Sequence, residues 1–136
     1  MTIQSWEPTP TGKQPDTYVI TDKFLQRIVL FMSTHKGDDI SAFLTSAEQN
    51  DHQPIMHADK TSWFDKKEQL STVDIITLIK FFTLAEMQLS NWTAEEKSPV
   101  IWLTKVLRQK GEALDKDLLL WIKTSSDNKF LPHGAL

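Results

Sequence analysis

The side chains best suited to chemistry in this 136-residue sequence fall in one polar stretch: Asp51, His52, His57 and Asp59. A neutral imidazole can ligate a transition metal, and a carboxylate can complete a nitrogen–oxygen ligand set around it. Histidine beside a carboxylate can also pass a proton near neutral pH. The spacing, however, matches no recognised ligand pattern such as H-E-x-x-H. Histidines of a solvated loop explain the stretch more simply. No catalytic residue, cofactor or metal is therefore assigned, and these four residues stand as the candidates for an enzyme reading. His35 and His133 are isolated in sequence and could join them only through the fold.

Other chemistries find less support. The chain has no cysteine, which removes thiol catalysis, thiolate metal sites and disulfides together. No G-x-S-x-G elbow occurs, and Gly12, Gly37, Gly111 and Gly134 are too far apart to form a phosphate-cradling loop. A formal charge of −3 and an isoelectric point near 5.8 argue against nucleic acid as a partner. The longest apolar stretch, 73–89, is broken by Asp74, Lys80 and Glu86, which is wrong for a membrane span. The first residues carry neither a secretory nor a lipidation signal, so a soluble cytoplasmic protein is expected.

The elements that would position these groups read as helices. Residues 1–20, with Pro8, Pro10 and Pro15, predict an extended arm, and Tyr18-Val19-Ile20 a short piece packed on the domain formed by 21–136. Thr21 is a good N-cap for a helix over Asp22–Thr34, with Phe24, Leu25, Ile28 and Phe31 on one face. Asp38 or Asp39 is expected to cap a second helix carrying Ile40, Phe43, Leu44 and Ala47. Ser62 is expected to cap a short third one. Ser71 caps the main helix, about 72–89, whose polar residues fall at every third position: Asp74, Thr77, Lys80, Thr83 and Glu86. A helix turns about 100° per residue, so this polar line winds around it and apolar side chains point nearly all round. Such a helix is buried at the centre of a bundle. Its charges are expected to emerge at the surface, the alternative being a polar pocket inside. Ser98-Pro99 opens the next helix, Gly111 stops it, and Asp115 caps a last one.

The expected fold is an all-α, single-domain bundle of about five to six helices with a buried central helix and an extended N-terminal arm. For its function, the leading expectation is a protein-interaction or structural module without catalysis, whose partner is another protein or a second copy in a homodimer. Tryptophan is a favoured interface anchor, and Trp6 and Trp92 lie outside the helix interiors. Phe130 and Leu131 belong to an apolar, proline-containing final segment. These four residues are the interaction candidates, although that final segment is expected to fold back on its own chain. One alternative is a metal-dependent or acid–base enzyme built on Asp51, His52, His57 and Asp59. Another is a bundle that binds a small apolar ligand in a cavity beside Thr77, Lys80 and Thr83.

Overall fold

A computed structural model describes residues 18–35 and 37–134, so the expected arm and Trp6 lie outside the described residues. Among the described residues there are six α-helices and no strand: α1 (Asp22–Thr34), α2 (Ser46–His52), α3 (Lys60–Phe64), α4 (Thr72–Gln88), α5 (Pro99–Gln109) and α6 (Lys116–Ser125). Two short 3-10 turns, Gln53–His57 and Glu95–Lys97, follow α2 and precede α5. The fold is all-α, as expected. No helix of the described residues is long and apolar enough to cross a membrane.

Local chemistry sets the helix starts. Thr21, Ser71, Ser98 and Asp115 each accept a bond from a backbone N–H of the first turn, satisfying donors that the helix itself leaves unpaired. Two expected starts are corrected. The second helix begins at Ser46, not after Asp39, because Thr45 and Glu48 form a reciprocal capping box there. Residues 38–40 are instead held by Gln88 at the end of α4. Its Nε2 donates to the Asp38 carbonyl at 2.6 Å, and its Oε1 accepts from the Ile40 N–H at 2.8 Å. Asp39 folds back to accept from the Ser41 N–H and hydroxyl. The third helix is capped by Asp59, with Ser62 inside it.

Helix α4 is the centre of the bundle, packed against α5, α1 and α6. Ile75, Leu78, Ile79, Phe81, Phe82, Leu84 and Ala85 are all buried, which covers nearly every side of its later turns. Aromatic rings run across the core in edge-to-face contact: Phe43 on Phe81, Phe81 on Phe82, and Phe82 on Trp63, with centroids 5.1–5.5 Å apart. The winding polar line divides. Lys80 is exposed, and Asp74 and Thr77 are half-buried, as expected. Thr83 and Glu86 are buried, which corrects the expected emergence at the surface. The Thr83 hydroxyl donates to the Ile79 carbonyl one turn back, a cheap way to satisfy it. Glu86 has a larger role. One of its oxygens accepts from the Ala94 and Glu95 N–H groups, and both are within 3.1 Å of Asn128 Nδ2. It thereby joins the α4 end, the 91–95 turn and the segment after α6.

Segment 126–134 folds back across the bundle. Leu131 and Pro132 are buried, and the Leu131 carbonyl accepts from Lys123 Nζ. At the other end, Ile20 is buried and Tyr18 is half-buried, so 18–20 pack on the domain as expected.

Candidate functional site

The four residues of the polar stretch do not converge on a shared centre. Asp59 is spent on α3: its carboxylate accepts from the Ser62 N–H and hydroxyl, each at 2.8 Å. Those two donors, the backbone one foremost, hold its carboxyl below the usual range. His52 is part of the packing. Its ring lies parallel to Phe24 with centroids 3.7 Å apart, and its Nδ1 is 2.7 Å from the Tyr18 hydroxyl. Burial lowers its pKa first, and the nearby Arg27 cation adds to this. Burial also pushes the Tyr18 phenol up to about 12, so this pair is a neutral hydrogen bond near pH 7. Asp51 and His57 are exposed. Among the described residues, no three His, Asp or Glu side chains are placed to share a metal ion.

Two of the interaction candidates are corrected. Trp92 is fully buried, and its indole N–H donates to the Gln49 carbonyl at 3.1 Å, which docks the 90–94 turn on α2. Leu131 is buried in the same core. Phe130 is half-buried, with the Lys129 ammonium 5.6 Å from its ring centre. The cavity expected beside Thr77, Lys80 and Thr83 takes the form of a surface cleft of about 410 Å³ between α1, α4 and α6. Lys80 lines it with Ile76, Leu84 and Trp121, but neither threonine does.

A site that the residue patterns did not single out lies between α3 and α5. Trp102, Lys105, Arg108 and Gln109 stand at i, i+3, i+6 and i+7, which places them along one face of α5. Lys60 and Phe64, four residues apart on α3, form the opposite wall. The groove between them measures about 600 Å³, and no carboxylate of the described residues lines it. Phe64, Trp102 and Lys105 are half-buried, whereas Lys60, Arg108 and Gln109 are exposed. The Lys60 ammonium sits 5.6 Å from the Phe64 ring centre. The Trp102 indole N–H has no acceptor.

The electrostatics of the groove are lopsided. Among the described residues the ion pairs are Arg27–Glu48 at 3.2 Å and Lys66–Asp22 at 2.8 Å. Lys60, Lys105 and Arg108 take part in neither. Arg108 Nη2 is instead 3.3 Å from Nδ1 of His133, on the segment folded back across the bundle. Burial, followed by the Arg108, Lys123 and Lys105 charges, lowers the His133 pKa. His133 is therefore neutral near pH 7 and its ring nitrogen accepts from the guanidinium. Three cations with no ion pair among the described residues, around two aromatic rings, can attract an anion and pack an apolar group at once. Comparison with protein-family models, curated proteins and solved structures finds no match for the chain.

Proposed function

We propose that this chain is a protein-interaction module whose working surface is the α3–α5 groove. The observation that carries the reading is the cluster of Lys60, Lys105 and Arg108 without a carboxylate partner among the described residues, in a chain of net charge −3. Like charges lining one groove repel, and no acid among the described residues offsets them there. Trp102 and Phe64 between the cations add the aromatic surface that anchors protein interfaces. The groove is shallow and open, which suits a short segment of a partner lying along it. Catalysis has no comparable support, because the acid, base and metal-ligand candidates are occupied in caps and packing or exposed apart from one another.

Charge reversal tests the reading. The double variant Lys105→Glu with Arg108→Glu should stay folded, at a cost of about 1–2 kcal/mol for placing two acids near the α5 C-terminus, which urea unfolding measures. Its partners should be lost. Affinity recovery from cell extract with the wild type, this variant and a remote control, Lys116→Glu on α6, supplies the comparison. A protein held by the wild type and the control but released by the groove variant supports the reading. Equal recovery by all three, or none by the wild type, contradicts it.

A further inference from the structure

We infer that the occupant of the α3–α5 groove is a short extended segment of a protein that carries carboxylates on either side of one aromatic or large aliphatic side chain. This rests on the groove being the working surface. The charge sign follows from the lining, which among the described residues has three cations, one glutamine and no acid. The length follows from helix geometry. Trp102 and Arg108 are six residues apart, so their positions differ by roughly 9 Å along the α5 axis. An extended chain covers that in about three residues. With one more residue at the Lys60 end, a segment of about four fills the groove. Its apolar side chain packs between Phe64 and Trp102, and its carboxylates meet Lys60 on one side and Lys105 and Arg108 on the other. The guanidinium is turned by its contact with His133, which still leaves N–H groups for a carboxylate.

A long polyanion fits less well. Asp22 and Asp74 line a cleft between α1 and the start of α4, and Asp38, Asp115 and Asp117 line the one beside Lys80. Lys110 follows Gln109 and Lys123 lies close to His133, but a net charge of −3 disfavours a long polyanion. A second copy of the chain would bring exposed carboxylates such as Glu68 and Glu112, and a concentration-dependent shift of the groove signals without peptide would assign the groove to self-association instead.

The test is a titration of the full chain followed by NMR, reading the Trp102 indole signal and the backbone amides of 60–64 and 102–109. Four probes are compared: a peptide with phenylalanine flanked by glutamates, its glutamine version, its version with serine in place of phenylalanine, and inorganic phosphate. The first should shift the groove signals. Each altered peptide should bind about tenfold more weakly, the size expected from losing two or three exposed ion pairs or one packed ring. Equal binding of the glutamine version at the groove would overturn the acidic occupant while leaving the groove as a working surface. Equal binding of the serine version would overturn the apolar anchor. Phosphate shifting the same signals at lower concentration than the peptide would make this a small-anion site instead. If no peptide shifts the groove, the occupant is wrong, and recovery with the charge-reversed variant judges the surface independently.

Discussion

Truncating Glu86 to alanine should destabilise the fold by about 2–3 kcal/mol, because it removes the acceptor of one buried and two part-buried donors. The Ala94 and Glu95 N–H groups bond to one Glu86 oxygen at 2.9 and 3.1 Å, and Asn128 Nδ2 lies 3.1 Å from both oxygens. An unpaired buried donor costs about 1–3 kcal/mol, while Asn128 Nδ2 keeps the Glu95 carbonyl at 3.0 Å as a second acceptor. The backbone adds to the effect. Asn91 and Glu95 hold left-handed conformations, with φ of 67° and 51°, which non-glycine residues resist by about 1–2 kcal/mol. The Glu86 carboxylate holds the turn in that shape. Glu86→Gln keeps one carbonyl oxygen for the backbone donors and should lose about half as much. Urea unfolding of both variants measures this, and midpoints within about 0.5 kcal/mol of the wild type for both would contradict the proposed brace.

Replacing Trp92 by alanine should cost about 3–5 kcal/mol, the range for emptying a large aromatic site in a core. The ring is fully buried, and its N–H closes the Gln49 carbonyl at the last turn of α2. Removal therefore leaves both a cavity and an unpaired acceptor. Trp92→Phe restores much of the volume and not the hydrogen bond, so it should cost about 1–2 kcal/mol. The difference between the two separates packing from hydrogen bonding. A Trp92→Ala chain as stable as the wild type would mean that this ring does not hold the 90–94 turn. It would reopen Trp92 as a surface anchor.

The helix caps and the central helix were legible because their causes are local. Thr21, Ser71, Ser98 and Asp115 act on donors two or three residues away, and the all-round apolar surface of α4 follows from its own spacing. What escaped depends on distant partners. The stretch 38–45 looked like a helix start, but Gln88 takes its backbone groups from about fifty residues away. Glu86 looked ready to reach solvent, while its acceptors' partners arrive from 94, 95 and 128. Asp59 looked like a ligand and is a cap, which an Asp three residues before Ser62 could have signalled. Half of the groove was readable as Trp102, Lys105 and Arg108 on one face of α5, where the cations also suit the helix C-terminus. The other half comes from Lys60 and Phe64 on α3, and only the packing of α3 on α5 brings them opposite.

The most direct test of a groove that selects acidic partners is a charge swap. The wild type and the Lys105→Glu, Arg108→Glu double variant are each titrated with the glutamate peptide and with its lysine counterpart, and the four affinities are compared. A groove that reads charge predicts a crossed preference: the wild type binds the glutamate peptide more tightly, and the variant binds the lysine peptide more tightly. Retention of the glutamate preference by the double variant, or no preference in the wild type, would contradict it.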